Sequence, residues 1–200
     1  MKHEEIIKAA LLSYSKYGYQ GATMKKIADE VGIKAASIYF FFENKESLFV
    51  QAFQQILQNH HDAMKSVLNI HQNEPVHRIF SAMLQGIVDH HTTNFIETSS
   101  YISLVTAPIP EIKNHLQEYM QNFNKWLTTS LEDALRRDFP TIDSSDVDRV
   151  IKQFVLLGNG VFWGINLYNE KYLKEQVHLA ILMNDSLFEQ LSNRYTHTRK

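Results

Sequence analysis

The stretch IADEVGIKAASIYFFF, residues 27–42, combines two helical patterns with a glycine between them. Ala28, Gly32 and Ile38 stand at the offsets of a helix-turn-helix. In that motif a small residue lets the second helix approach closely, a glycine supplies the positive φ of the turn, and a branched apolar residue plugs the gap. The spacing predicts a helix-turn-helix, although three such common residues also fit a helical hairpin with no role in DNA binding.

Four aromatic residues, Tyr39 to Phe42, follow one another at the end of this stretch. Successive side chains on a helix are turned by about 100°, so all four cannot face one core. Ile38 and Phe42 are four residues apart and are predicted to face inwards, which leaves Tyr39 and Phe40 exposed. Large apolar groups that are exposed in a cluster commonly mark a binding surface.

Helical signals surround the motif. Residues 4–17 carry apolar side chains at steps of three and four, and Gly18 is predicted to end this first helix. Thr23 is predicted to cap a short helix over 24–31, and the second short helix is expected over about 35–42. The motif is therefore predicted to form a module of three helices.

The rest of the chain is also predicted to be helical. Asn44 is expected to cap a long helix and Pro110 to open another, whereas the region 92–109 is less regular. No stretch shows the convincing period-two alternation of a strand. The helices expected beyond the motif cover about 45–70, 76–91, 110 to the break DFPTIDSSD, 145–168 and 170–194. The sequence thus predicts an all-α protein.

The composition is that of an ordinary folded protein, with 44% hydrophobic residues, 21% charged residues and a net charge of −2. The lack of cysteine excludes disulfides, thiolate nucleophiles and cysteine-rich zinc sites. The N-terminus has charges where a signal peptide needs an apolar core, and the longest uncharged apolar run, 154–168, is too short for a membrane span. We therefore expect a cytoplasmic protein without membrane contact. Because the net charge does not favour nucleic acid, DNA binding depends on the motif.

Residues 6–53 resemble the N-terminal DNA-binding domain of the TetR family of transcriptional regulators along their whole length. The matching segments, in that family's order and spacing, are KYGY, a start at Thr23, IADEVGI, SIY, a terminal Phe42 and NKESL. The resemblance implies a DNA-binding domain over residues 1–46. It also implies a larger helical domain over 47–200 that binds a ligand and forms a homodimer.

The resemblance further implies how the first domain contacts DNA. Tyr39 and Phe40 would lie along the backbone, and Lys45, at a helix start, would bind a phosphate. Phe41 stands where the family more often has histidine or tyrosine, so a polar phosphate contact is missing there or is replaced by an apolar one. Lys26 is predicted to lie on a solvated face. The remaining implied contacts are phosphate binding by Thr23 and Lys25 and base reading by Lys34, Ala35 and Ser37.

Aromatic residues in the second domain are candidates for a ligand cavity, although aromatic residues at helical spacing more often fill a core. The inducer is expected to be a small molecule that is largely apolar or aromatic. The ligand-pocket candidates are Phe95, Tyr101, Tyr119, Phe123, Trp126, Phe154, Phe162 and Trp163. In the family the last two long helices pair with those of a second subunit, and glycines permit close approach. The dimer-interface candidates are Gly158, Gly160 and Gly164.

No cofactor or metal is expected. The adjacent pairs His60–His61 and His90–His91 do not indicate a metal site, because neighbouring side chains on a helix point about 100° apart. The predicted function is a ligand-responsive regulator that binds double-stranded DNA at a palindromic operator, most simply as a repressor released by a small molecule. Two alternatives stay open. One is a DNA-binding architectural protein without sequence preference. The other is a helical enzyme with a vestigial DNA-binding module, which no nucleophile elbow, phosphate loop or pair of carboxylates supports.

Overall fold

The computed structural model describes residues 2–106 and 109–196, apart from the side chains of Glu111 and Thr196. Every regular secondary-structure element in these ranges is an α-helix, which confirms the predicted all-α class. The helices are α1 (Lys2–Gly21), α2 (Met24–Val31), α3 (Ala35–Ile38), α4 (Lys45–His71), α5 (Val76–Thr93), α6 (Phe95–Thr106), α7 (Pro110–Asp138), α8 (Ser144–Leu167) and α9 (Glu170–Thr196).

Helix α1 changes direction at Gly18, where φ is 65° and ψ is −179°. Glycine adopts a positive φ readily, whereas a side chain would make this conformation costly. The prediction that the helix ends at Gly18 is half right. Regular geometry stops there, but one more turn continues to Gly21.

Helix α2 is capped at both ends as predicted. The backbone N–H of Lys26 donates to the Thr23 hydroxyl oxygen at 3.2 Å, which satisfies one of the free donors of the first turn. At the other end Gly32 adopts the left-handed conformation, with φ 71° and ψ 34°. The N–H of Gly32 then closes the helix onto the carbonyl groups of Ala28 and Asp29.

Helix α3 ends at Ile38 and is therefore shorter than the predicted range 35–42. The chain continues in turns, in which the N–H groups of Phe41 and Phe42 both donate to the Ile38 carbonyl, at 2.9 and 3.0 Å. Phe42 is buried in the core, so the turn is held in place without a continuous helix.

The region 92–109 is predicted to be irregular, and this prediction is wrong for most of its length. Helix α5 ends at Thr93, and α6 covers Phe95–Thr106. Serine and threonine are weak helix formers, so the segment has little local helix signal. The helix forms because Thr98, Ser100 and Leu104 are buried by packing. Residues 107–108 lie outside the described residues.

The chain forms two compact units, and each unit consists of two separate segments of the sequence. Unit 1 comprises Met1–His60 and Asn94–Asn122, and unit 2 comprises His61–Thr93 and Phe123–Lys200. The divisions fall within or at the ends of helices α4, α5 and α7. The functional boundary expected between residues 46 and 47 stays a prediction.

Unit 1 has one hydrophobic core in which α1 to α4 meet α6 and the start of α7. Tyr14 packs its ring against Phe49 and Phe53, with ring centroids 5.7 and 5.2 Å apart. Each large side chain buried in this way contributes about 1.5 to 3 kcal/mol of transfer free energy. The fully buried side chains of this core include Ile6, Ile27, Ile38, Phe42, Leu48, Phe49 and Phe53.

Unit 2 is built on α5, α8 and α9. Phe80 on α5 lies between Phe154 of α8 and Phe188 of α9, with centroid distances of 4.8 and 5.1 Å. The buried Asn184 amide donates to the His77 carbonyl at 3.1 Å and to the Ser81 hydroxyl at 3.0 Å, so this polar group is satisfied.

A buried carboxylate fastens the end of α9 to the start of α8. Asp146 is 3% exposed and accepts hydrogen bonds from Arg149 at 2.6 Å, Arg194 at 2.6 Å and the Tyr195 hydroxyl at 2.7 Å. These donors, Arg149 first, hold the pKa of the Asp146 carboxyl far below its ordinary value against the opposing effect of burial. The network therefore stabilises unit 2 as long as this group is ionised.

Among the described residues, α8 is the one helix whose length and apolar composition would suffice to cross a membrane. The uncharged run 154–168 is too short by itself, whereas α8 also includes the residues from Ser144 onwards. Its buried stripe, which includes Val150, Phe154 and Val161, packs inside unit 2. A core helix satisfies the same length and composition criteria.

Candidate nucleic-acid interface

Short elements of unit 1 display the residues that were predicted to bind DNA. Thr23 and Lys25 are exposed at the start of α2, and the Thr23 side chain also caps that helix. Lys34 precedes the first turn of α3 and is exposed, whereas Ala35 and Ser37 are half-buried. The backbone of Lys34 is extended, with φ −73° and ψ 141°, and its side chain makes no capping hydrogen bond.

The aromatic run divides as the helical spacing predicts. Ile38 and Phe42 are buried in the core, and the Phe42 ring stacks on His3 at a centroid distance of 4.7 Å. Tyr39 is 54% exposed, Phe40 88% and Phe41 43%. A cluster of three exposed rings therefore lies directly after α3, and two of them have no polar atom with which to meet water.

Lys45 makes contacts that the sequence did not reveal. Its ammonium group donates to the carbonyl of Tyr19 and lies 4.3 Å from the centroid of the Tyr19 ring. Burial lowers the pKa of Lys45. An ammonium group has three protons, so it can bind this carbonyl and still donate to a phosphate. Lys45 thus also holds the end of α1 in place.

Lys26 is exposed, in agreement with the predicted solvated face, and makes a parallel contact. Its ammonium group donates to the Gly21 carbonyl at 3.1 Å and lies 4.0 Å from the centroid of the Tyr17 ring. Two lysines therefore neutralise carbonyl groups at the end of α1, each above a tyrosine ring. The sequence YGY at Tyr17–Tyr19 shows two rings on either side of a glycine. Which lysine lies over which ring depends on the change of direction at Gly18.

Positive charge at this surface is local. The first 50 residues contain seven lysines and six acidic residues, so the module as a whole is nearly neutral. Lys25 and Lys34 are exposed next to the aromatic cluster, whereas Lys26 and Lys45 are engaged with α1. The surface can supply phosphate contacts from lysine and apolar contacts from the rings, which matches the two classes of protein–DNA contact.

The ligand-pocket candidates of unit 1 occupy three different environments. Phe95 is 70% exposed on α6. Tyr101 is half-buried, its hydroxyl contacts the Met120 sulfur at 3.8 Å, and burial raises its pKa. Tyr119 is also half-buried and donates its hydroxyl proton to the Leu57 carbonyl. The structure therefore places two of the three candidates within the packed part of unit 1.

The candidates of unit 2 mostly join aromatic clusters. The rings of Phe123 and Trp126 pack on His61 with centroid distances of 5.5 and 4.7 Å. Phe154 is buried against Phe80 in the core of unit 2. The two remaining candidates are Phe162, 4.8 Å from the ring centroid of His91, and Trp163, which is exposed. Their membership of a ligand pocket stays a prediction.

The three candidate glycines of the dimer interface differ in surroundings. Gly158 is buried, and a Cβ there would lie 3.2 Å from Ile87 of α5. Gly164 is also buried, with Tyr168 at 3.3 Å from such a Cβ. Gly160 is exposed and has open space around it. The first two therefore permit close packing within unit 2, and Gly160 is the one of the three on the surface.

Helices α8 and α9 carry several exposed apolar side chains, and on α8 Leu156, Trp163 and Leu167 share one helical face with Gly160. Single exposed apolar residues are common, whereas several on one helical face are typical of an interaction surface. The exposed members of α8 and α9, and of the turn between them, are Leu156, Trp163, Leu167, Tyr168, Tyr172, Leu179, Leu182 and Met183.

Comparison with known sequences relates this module to bacterial regulators. Residues 6–52 match the family model described as "Bacterial regulatory proteins, tetR family". The chain is 29% identical over 135 residues to the uncharacterized HTH-type transcriptional regulator YhgD of Bacillus subtilis. The aligned region covers 66% of this chain and 68% of YhgD. It is 28% identical over 167 residues to IcaR of Staphylococcus epidermidis, the HTH-type negative transcriptional regulator of the biofilm operon icaADBC. The aligned region covers 76% of this chain and 79% of IcaR.

The fold as a whole is found in solved structures. The fatty acid degradation regulator FadR from Bacillus halodurans superposes with a TM-score of 0.69, covering 92% of this chain and 94% of FadR. The sequence identity of this pair is 18%, so the similarity concerns the fold. The relatives by sequence are transcriptional regulators, and their similarity extends beyond the helix-turn-helix.

Proposed function

We propose that this chain, which belongs to the TetR family of bacterial transcriptional regulators, represses transcription by binding a palindromic operator as a homodimer and is released from it by a small molecule. The proposal includes a cytoplasmic location, where the operator DNA is accessible. Repression is the direction suggested by IcaR, which is named as a negative regulator.

One observation carries the proposal: three exposed rings and the exposed Lys34 belong to a helix-turn-helix whose first helix, α2, is capped at both ends. Lys34 and the rings of Tyr39 and Phe40 are exposed, while Ile38 and Phe42 anchor the segment in the core. A rigid, exposed segment of this kind can enter a major groove without first having to become ordered.

The apolar outer faces of α8 and α9 support self-association. A symmetric dimer brings the same patch of each subunit together and would cover these side chains. Two recognition segments would then contact half-sites spaced by about one DNA turn or a multiple of it. This geometry explains why we expect a palindromic site.

The inducer is proposed to be a small, largely apolar or aromatic molecule bound by the helical part that follows the DNA-binding module. Helix α4 starts at Lys45, next to the DNA-contact residues, and continues without interruption to His71. A ligand that binds more tightly to one orientation of α4 would change the distance between recognition segments. Such a ligand acts only through its preference for one of the two states.

The test is selection of DNA from random duplexes by the purified protein at about physiological salt, where non-specific binding is weak. We expect enrichment of a palindrome, and loss of enrichment for Lys34→Ala and Tyr39→Ala. Lys113→Ala, an exposed lysine on α7, is the matched control and should retain it.

Other outcomes would favour the two alternatives. Binding without enrichment of any sequence would indicate an architectural DNA-binding protein. A folded dimer that ignores DNA and turns over a substrate would indicate an enzyme with a vestigial module.

A further inference from the structure

Unit 2 contains a groove of about 520 Å³ between the C-terminal half of α5 and the N-terminal half of α9. Pockets for small molecules usually have volumes of about 300 to 1,000 Å³. None of the aromatic residues predicted to line a ligand cavity borders this groove. It is therefore a separate site on the molecule.

The floor of the groove is apolar. Leu173 and Val177 of α9 are buried, and Val88 of α5 and Ile181 of α9 are half-buried beside them. Branched aliphatic side chains of this kind can pack against the hydrocarbon body of a ligand and remove its apolar surface from water. The floor thus selects for an organic molecule over an inorganic ion.

The rim of the groove carries the acids Asp89 and Glu170 and the basic residues Lys174 and His178, so with histidine neutral the acids are in excess. Glu170 and Lys174 form an ion pair at 2.6 Å and neutralise each other. Asp89, on the α5 side, is exposed and accepts a hydrogen bond from the neutral Gln85 amide at 2.8 Å. No cation in the part of the chain that is described pairs with Asp89, so its charge is available to a ligand.

Part of the exposed apolar surface of α9 faces away from the groove. The exposed apolar residues Leu179 and Met183 follow the groove residues Val177 and Ile181 by two positions. Two positions on an α-helix correspond to a rotation of about 200°, so these pairs lie on opposite faces of α9. Leu182, in contrast, follows the groove residue His178 by four positions and lies on the groove side of α9. A partner subunit seated on Leu179 and Met183 alone would leave the groove accessible.

We propose that this groove is a binding site for small organic cations with an apolar body. The cationic group contacts the Asp89 carboxylate, and the hydrocarbon part lies on Val88, Leu173 and Val177. Glu170 and Lys174 border the site as an ion pair, so the attraction for the cationic group comes mainly from Asp89.

Three probes with the same apolar body test the assignment on the full chain: phenylbutylamine, which is protonated at neutral pH, phenylbutanol and phenylvalerate. Methyl resonances of Val88, Leu173 and Val177 report binding by NMR titration. We expect saturable shifts of these resonances, with the amine binding at least about fivefold more tightly than the alcohol and the carboxylate most weakly. Equal affinity for amine and alcohol, or no saturable shift at these methyl groups, would overturn the proposal.

Asp89→Asn removes the charge while preserving the shape of the side chain. We expect it to weaken amine binding about fivefold and to leave alcohol binding unchanged. Asp185→Asn, an exposed acid on α9 outside the groove, is the control and should bind the amine like the unmodified protein. Unchanged amine affinity in Asp89→Asn would refute the role of this carboxylate. The comparison of probes uses the unmodified protein, so it holds even if this variant is unstable, and the assay contains no DNA, so its result does not depend on operator binding.

Discussion

Replacing Phe40 by alanine should weaken operator binding without changing its dependence on salt. Phe40 is 88% exposed, so its truncation removes little packing and should leave the fold intact. If DNA covers about half of a phenylalanine side chain, roughly 80 to 100 Å² of apolar surface leaves water. At about 25 cal/mol per Å² this contact contributes about 2 kcal/mol in each subunit. For a symmetric dimer the combined loss of about 4 kcal/mol is on the order of 10³ in affinity.

The dependence on salt distinguishes this apolar contact from a phosphate contact. An apolar contact releases no counterions, so the slope of log affinity against log salt concentration should stay unchanged for Phe40→Ala. Lys25→Ala should instead reduce the slope by about 0.9 for each phosphate that is no longer neutralised. Fluorescence anisotropy with a labelled operator, obtained by selection from random duplexes, measures both quantities over a range of salt concentrations.

A matched control separates a local contact from a general effect of losing an exposed ring. Phe95 on α6 is 70% exposed, and Phe95→Ala should bind the operator with unchanged affinity. Two results would refute the reasoning: full affinity in Phe40→Ala, or a loss of affinity accompanied by a smaller salt slope.

Further predictions concern stability and the lysine contacts. Gly32→Ala should lower the free energy of unfolding by about 1 kcal/mol because φ is 71°, as measured by thermal unfolding followed by circular dichroism; unchanged stability would contradict the role of this glycine in the turn. Asp146→Asn should destabilise unit 2 by about 2 kcal/mol at neutral pH. The pKa of this carboxyl in the folded protein lies below the ordinary value of about 3.9, so the difference in free energy of unfolding between the unmodified protein and the variant should shrink as the pH falls below about 4. Urea unfolding measures this difference, and equal stability at neutral pH would contradict the network. Lys45→Ala should reduce both operator affinity and the stability of the module, whereas Lys25→Ala should reduce affinity alone; no loss of stability in Lys45→Ala would show that its contact with Tyr19 is unimportant.

The parts of the fold that were predictable depend on local chemistry. Thr23 and Gly32 act within three or four residues of their own positions, so a cap and a turn could be inferred from the chain alone. The inward positions of Ile38 and Phe42 likewise follow from helical spacing. By contrast, α6 has weak local preference and packs on α1, far away in sequence, where the Ser100 hydroxyl donates to the Leu11 carbonyl at 3.3 Å.

The contacts of the candidate site were less predictable. Lys45 and Tyr19 are separated by 26 positions, and their contact depends on the direction that the chain takes after Gly18. Spacing also could not tell which aromatic residues would pack together. Phe154, for example, is buried by Phe80 of another helix rather than by a residue of its own. The sequence therefore located the candidate interface, while the structure supplied the partners of its side chains.

The double capping of α2 has a consequence for the dynamics of the module. An isolated helix of eight residues does not persist in water, since marginal stability requires about 12 to 15 residues. The amide protons of α2 are thus protected only while Ile27 and Ala28 remain packed in the core of unit 1. Their hydrogen exchange should proceed through cooperative opening of the surrounding structure and not through fraying of a single helix. The exchange rate of α2 amides would then report directly on how often the DNA-binding module opens.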